Sequence, residues 1–287
     1  MPFVSSILIR VLALTLLTFT ATAQIQTAPL SPRSKVQQQV GLANVSLDYG
    51  RPGVKGRKIF GELLPYGKVW RTGANASTKV RFDRDLRFGD ELVPAGTYGL
   101  YTIPDEKSWT VILHRKAKLW GAGGYDPAND QLRIEVPLEK SPELRETLTI
   151  DFQSFHANGA DLVLTFEHAR IRVPLFVDTD QEVLAEIDEK VRKAKGEVSA
   201  QTYFDAAMFL YEKKRDLQDA LAWFKRAVEL NPTAYWQRYY LAELSYQLGD
   251  TVFAEEAVNE ALRYAKASRA GDHGYITKCQ LLLAKLR

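Results

Sequence analysis

LTIDFQSFHANGADLVLTFEHARIRVPLF, residues 148–176, decides the fold. Leu148, Ile150 and Phe152 alternate with polar neighbours, as do Leu162, Leu164 and Phe166, and then Ile171, Val173 and Leu175. A period of two sends one row of side chains inward and the next into water, the mark of half-buried strands. Asn158-Gly159 supplies residues that tolerate positive φ, so a tight hairpin is expected between the first two runs. No helical spacing separates these runs, which points to antiparallel pairing rather than crossover connections.

The same period extends back along the chain through Val45, Leu47 and Tyr49, Val80 and Phe82, Leu86 and Phe88, Trp109, Val111 and Leu113, and Leu132, Ile134 and Val136. Phe82-Asp83-Arg84-Asp85-Leu86 reads as a short hairpin connection and Gly89-Asp90 as a further turn. Roughly eight or nine close-spaced strands predict an all-β antiparallel sandwich or barrel over residues 41–178, and the sandwich is the favoured form. Residues 24–40 read as an N-terminal extension.

After Asp178 the period becomes helical. Residues 179–200 form a charged helical connector with Val183, Leu184, Ile187 and Val191 on one face. Residues 201–287 carry an internal repeat of about 34 residues, the tetratricopeptide period. Counted from Gln201, Phe204, Ala207, Met208, Tyr211, Ala220, Phe224, Ala227 and Pro232 fall at its key positions. Counted from Tyr235, Leu241, Ala242, Gly249, Ala254, Val258 and Ala261 do the same, while Arg238 and Ser245 depart from the aromatic positions. His273 to Arg287 reads as a closing helix, in which the lone Cys279 is a small apolar packing residue. Such stacks present grooves for another protein's segment, so a protein partner is expected here; two repeats equally allow docking or self-association alone.

Residues 1–23 join Arg10, an apolar run from Val11 to Phe19 and the small-residue ending Ala21-Thr22-Ala23. This pattern predicts a cleaved signal peptide with Gln24 first in the mature chain, and hence a periplasmic or secreted protein; a membrane anchor is the alternative. No later run is apolar for long enough to span a bilayer, so no integral membrane segment is expected in the mature chain. A formal net charge of +3 gives no whole-chain case for nucleic acid.

The charge is local instead. From Tyr49 to Arg81 there are eight Lys and Arg residues against one acid, Glu62. Planar guanidinium groups suit carboxylates and phosphates, and glycines in the same segment let a ligand approach the main chain. Arg51, Arg57, Arg71 and Asn75 are the candidate ligand contacts, with Trp70 and Trp120 as walls. An anionic small molecule, glycan or peptide terminus is the expected ligand class. A solvated basic loop whose aromatics plug the core is the competing reading.

These residues carry a resemblance. YGRPGVKGRKIFGELLPYGKVWRTGANAST (49–78), LVPAGTYGLYTIP (92–104), WTVIL (109–113), WGAGGYDPANDQLRIEV (120–136) and RIRVPLFV (170–177) together resemble an exported bacterial domain of unknown function, family 2911, over residues 31–178. The resemblance implies an exported all-β domain, often followed by helical repeats, and brings no established activity. Its matching positions include Arg51, Arg57, Trp70, Arg71, Asn75, Trp120, Tyr125, Asp126, Asp130 and Arg133. At His114 the family more typically has asparagine, so the resemblance assigns no general-base role there.

Familiar catalytic patterns are missing from the sequence. The four histidines have no metal-ligand spacing, so neither a metal nor a cofactor is expected. Asp126 starts a turn before Pro127, and Asp130 is placed to pair with Arg133 or Arg71. A binding module is the leading expectation over an enzyme. The alternatives are an envelope-polymer hydrolase or lyase using Asp126 and Asp130 with the arginines, and a purely structural scaffold.

Overall fold

A computed structural model describes residues 27–287. The signal peptide read at residues 1–23 lies outside the described residues. The chain divides into two compact units, with the boundary between Val177 and Asp178.

The described residues of the first unit hold ten strands: β1 Arg33–Val40, β2 Ala43–Gly50, β3 Thr78–Phe82, β4 Leu86–Phe88, β5 Glu91–Val93, β6 Gly96–Ile103, β7 Ser108–His114, β8 Asp130–Pro137, β9 Glu139–His156 and β10 Gly159–Phe176. They make a six-stranded sheet in the order β1-β2-β3-β6-β7-β8 and a four-stranded sheet in the order β5-β4-β10-β9. Every pairing is antiparallel. The inward rows of both sheets form one core, in which Val45, Leu47, Val80, Trp109 and Val111 join Leu148, Ile150, Leu164, Phe166 and Val173. Tyr49 stitches the sheets together: its hydroxyl donates to Ile150 O at 3.2 Å and accepts from Ile150 N at 2.9 Å. A buried phenol with both roles used adds direction to an otherwise non-directional core.

Three local expectations are corrected. Asp83-Arg84-Asp85 does not close a hairpin, because β3 and β4 belong to different sheets. This corner is held by side chains, with Asp83 accepting from Asn44 N and Nδ2, both at 2.8 Å, and Asp85 accepting from Ala95 N at 2.8 Å. Second, residues 33–40 are a strand, paired along its length with β2. Third, the two runs ending at Phe166 and starting at Ile171 are one strand, β10. Its residues in the shared core are even-numbered up to Phe166 and odd-numbered from Ala169 onward. Irregular register on both sides of Glu167, which has φ +55°, absorbs that change of parity.

The second unit holds six α-helices: α1 Thr179–Ile187, α2 Ala200–Glu212, α3 Leu217–Leu230, α4 Tyr235–Gln247, α5 Thr251–Ala267 and α6 Tyr275–Leu286. A π-helical turn, Asp188–Arg192, continues α1. Its Arg192 pairs with Asp188, Asp216 and Asp219, which ties the connector to the start of α3. Ala207, Ala220, Ala227 and Phe224 are fully buried in the first helix pair, and Ala242, Ala254, Val258 and Ala261 in the second. Small residues at these points let paired helices approach closely. Cys279 is buried against the second pair as α6 closes the stack. Among the described residues no helix is long and apolar enough to cross a membrane.

Candidate functional site

The stretch PYGKVWRTGAN, residues 65–75, leads into a loop held at both ends by β6. Trp70 and Thr102 exchange main-chain hydrogen bonds at 2.7 and 2.9 Å, while β3 takes up the pairing with β6 at Thr78. Thr78 N closes the excursion by donating to Arg71 O at 3.2 Å. The loop packs so closely on the end of β2 that a Cβ on Gly50 would stand 2.3 Å from Ala74 O. A Cβ on Gly73 would meet Thr78 Oγ1 at 2.9 Å and Gly50 O at 3.0 Å. Thr72 sits at φ +52°, unusual for a β-branched residue, and is buried. It is held there because its Oγ1 lies 3.1 Å from Thr102 Oγ1 and its carbonyl accepts from Thr78 Oγ1 at 2.6 Å.

The candidate residues separate into three groups. Trp70 is core: it is 5% exposed, stacks on Phe166, meets Phe60 and Trp109 edge-on, and donates its indole N–H to Gly73 O at 3.0 Å. It is therefore not a wall for a ligand. Arg51 and Arg57 form a second group, clasped to main chain. Arg51 donates to Leu148 O at 3.0 Å and Thr149 Oγ1 at 3.2 Å; Arg57 donates to Val54 O at 3.0 Å and Gly53 O at 2.7 Å.

The third group converges. Residues 116–121 run antiparallel to residues 75–77, with Gly121 N donating to Asn75 O at 3.1 Å, Trp120 bridging Ala76, and Ser77 N donating to Leu119 O at 3.0 Å. A Cβ on Gly121 would lie 3.9 Å from Arg71 Nη1, so Arg71 reaches across to this loop. Tyr101 approaches the same point, its hydroxyl 3.4 Å from Gly121 O. Burial pushes the Tyr101 phenol up, while the Ser77 hydroxyl and the Arg71 charge oppose that shift. Tyr125 packs 5.2 Å from both Tyr101 and His114, donates to Asp130 Oδ2 at 2.7 Å and accepts from Arg133 Nη2 at 2.6 Å. Arg133 Nε completes the triangle with Asp130 Oδ2 at 2.6 Å. Desolvation and then the Asp130 carboxylate drive the Tyr125 phenol up to about 12.

Two polar atoms in this cluster, Arg71 Nε and Asp130 Oδ1, are buried without a hydrogen-bond partner. Unpaired buried groups of this kind are costly and uncommon. Trp120, by contrast, is 76% exposed. Asp126 is occupied: its carboxylate accepts from Ala128 N and Asn129 Nδ2, both at 3.0 Å, at the start of the short 3₁₀ turn Pro127–Asn129. His114 is fully buried between Asp126 O, 3.2 Å from Nε2, and Lys116 N, 3.2 Å from Nδ1, so both ring nitrogens serve main chain. Among the described residues no group of three or more His, Cys, Asp or Glu is placed to hold a metal ion.

A groove of about 570 Å³ is lined by Lys79, Arg115, Lys116, Lys118 and Leu119, among others, and by no acid. The loop carrying three of these cations crosses β6 at Gly99, where a Cβ would stand 3.3 Å from Lys116 O. Sequence reading passed over this groove, although the run RKAKLW at 115–120 displays its charge; what the sequence conceals is Lys79 beside it.

The architecture is that of a two-sheet β unit with an arginine- and tyrosine-rich cluster at one end of its larger sheet, followed by a helical unit. The chain belongs to a family described as a protein of unknown function (DUF2911), which it matches over residues 31–175. No curated protein matches the chain, and no solved structure does.

Proposed function

We propose that the β unit is an exported binding module for an anionic ligand, with Arg71 as the anchoring guanidinium and Trp120 as the stacking wall. The observation that carries this reading is the Arg71 guanidinium, whose Nη1 reaches the Gly121 end of the loop on which Trp120 is left 76% exposed. Guanidinium geometry favours a carboxylate or phosphate oxygen as the acceptor. Lys79, Arg115, Lys116 and Lys118 extend the positive field away from Trp120, so the ligand is a glycan or peptide terminus with more than one negative charge. Asp126 and Asp130 serve as loop and ion-pair residues in this reading, rather than as an acid and base.

The helical unit is, in the same proposal, a tetratricopeptide-like repeat that holds a protein partner. Buried alanines at 207, 220, 227, 242, 254 and 261, at the repeat's small-residue positions, support it. Export to the periplasm or beyond rests on the pattern of residues 1–23, and sequencing the N-terminus of protein recovered from the envelope or medium tests it, with Gln24 expected first.

The ligand test is a thermal-shift and titration series on the full chain with oligouronates, nucleotides, muropeptides and peptide carboxylates. At least one anion is expected to raise the melting temperature. Arg71→Gln should abolish the shift, and Trp120→Ala should weaken it by roughly tenfold if the ligand is a sugar or aromatic. Equal binding by Arg71→Gln, or no shift from any anion, would sink the proposal.

A further inference from the structure

A second cavity, sharing no lining residue with the Arg71 cluster, opens on the β unit with a volume of about 320 Å³. Phe60, Tyr66, Trp109 and Leu138 give it an aromatic and apolar interior. Trp109 is only 1% exposed, yet its indole Nε1 is buried with no hydrogen-bond partner. That N–H is sealed from solvent, so a ligand in the cavity meets the indole ring rather than its donor.

The rim carries both signs of charge. Lys58 and Lys140 stand with Asp105 and Glu167 around one mouth, and His168 joins them. Glu167 owes its place to the irregular register of β10: at φ +55° it holds a left-handed conformation that a glutamate seldom adopts. Bulged strands re-aim side chains beside binding sites, and backbone strain persists where the surroundings enforce it. His168 Nδ1 lies 3.0 Å from Ser141 O and donates to it, which leaves Nε2 as the nitrogen available to a ligand.

We infer that this cavity binds a free amino acid with an aromatic or apolar side chain. The volume lies at the lower end of ligand pockets, about 300–1,000 Å³, which favours a small molecule over a polymer. A purely anionic ligand would face Asp105 and Glu167, and a purely cationic one would face Lys58 and Lys140. An amino acid carries carboxylate and ammonium on one carbon and so matches a rim of both signs. Its charged groups sit at that rim, while its side chain lies against Phe60, Tyr66, Trp109 and Leu138.

The test follows the tryptophan indole N–H signals of the full chain by ¹⁵N–¹H NMR during titration with phenylalanine, leucine and tyrosine. The Trp109 signal is assigned by its loss in Trp109→Phe. If that core variant does not fold, Lys140→Gln, at an exposed site, identifies the cavity by weakening the titration. Saturable movement of the Trp109 signal with a free amino acid is expected. N-acetylphenylalanine, which lacks the ammonium, and phenylalaninamide, which lacks the carboxylate, should each bind about tenfold more weakly. Glu167→Gly relieves the positive φ and should fold normally, while losing the discrimination between phenylalanine and its N-acetyl form. A Trp109 signal unmoved by all three amino acids overturns the site, and equal binding of the N-acetyl form overturns the ligand class.

Discussion

Arg133 donates from Nη2 to the phenol oxygen of Tyr125 at 2.6 Å, and the same phenol donates to Asp130 at 2.7 Å. Tyr125 therefore gives its proton to a carboxylate while a cation holds its lone pair, an arrangement available only to the neutral phenol. Burial and Asp130 raise its pKa to about 12, against about 10 in an unfolded chain. A group whose folded pKa is raised contributes stability that is complete below the unfolded value and lost as pH rises through the folded one. The chain should hold its full Tyr125 contribution up to about pH 10 and lose it between about 10 and 12. Phenolate absorbance should show a late-titrating class that includes Tyr125 and Tyr211, the latter also pushed up to about 12 by burial. Tyr125→Phe should remove one member of that class.

The Asp130 side chain is 9% exposed and that of Arg133 is 43% exposed, so the pair is buried on one side only. Removing the arginine leaves a mostly buried carboxylate held by the phenol. Removing the charge of Asp130 leaves Arg133 free to turn into water. Arg133→Ala should cost about 1–2 kcal/mol and Asp130→Asn less, since the exposed half of the pair is screened. Urea unfolding of both single variants and the double variant measures the coupling, expected to be near 1 kcal/mol. Additive single effects would mean that the pair contributes nothing beyond its separate parts.

How far these features were legible depends on the separation of the partners. The strands around Val45, Val80, Trp109 and Leu148 follow from a period of two, because each strand's burial is written in its own residues. The runs ending at Phe166 and starting at Ile171 look separate in the sequence because a bulge and a strand break leave the same local pattern. β1 was missed since RSKVQQQV has only Val36 and Val40 as apolar residues, a composition that an edge strand tolerates. The sequence leaves Trp70 either a ligand wall or a plug of the core; its burial is decided by Thr102, Trp109 and Phe166, all far along the chain. Arg51 and Arg57 announced positive charge, but main-chain carbonyls have no sequence signature, so their actual acceptors were invisible.

The approach of the Arg71 loop to β2 gives a steric prediction. An alanine at Gly50 would drive its methyl to 2.3 Å from the Ala74 carbonyl, a main-chain atom that cannot rotate aside. Gly50→Ala should destabilise the β unit by about 2–3 kcal/mol, at the upper end of ordinary overpacking. Gly73→Ala should cost somewhat less because Thr78 Oγ1 can turn, although that breaks its bond to Thr72 O. Gly123→Ala is the control, with no atom within 4 Å of the added Cβ, and should change stability by under about 0.5 kcal/mol. Denaturant titration ranks the three, and a Gly50→Ala variant as stable as Gly123→Ala would refute the close approach.

Cys279 offers a probe of the helical unit by itself. It is 0% exposed, packed with Tyr239, Val258 and Leu282, and burial pushes its thiol up to about 11. The nucleophile in thiol exchange is the thiolate, so both low access and the raised pKa suppress reaction near neutral pH. A disulfide reagent should leave the native chain unmodified and label it at one site per chain once unfolded. Under native conditions, labelling should follow opening of the helices around Cys279, and its rate then reports that opening free energy. Phe224→Ala, which empties a fully buried site in the first helix pair, should cost about 3–5 kcal/mol of that pair's stability. If the helices open as one cooperative stack, Cys279 labelling accelerates strongly in Phe224→Ala, because α6 loses its support when the stack opens. If labelling is unchanged while the helical signal of the variant melts early, the two helix pairs open independently and cooperativity across α3 and α4 is absent.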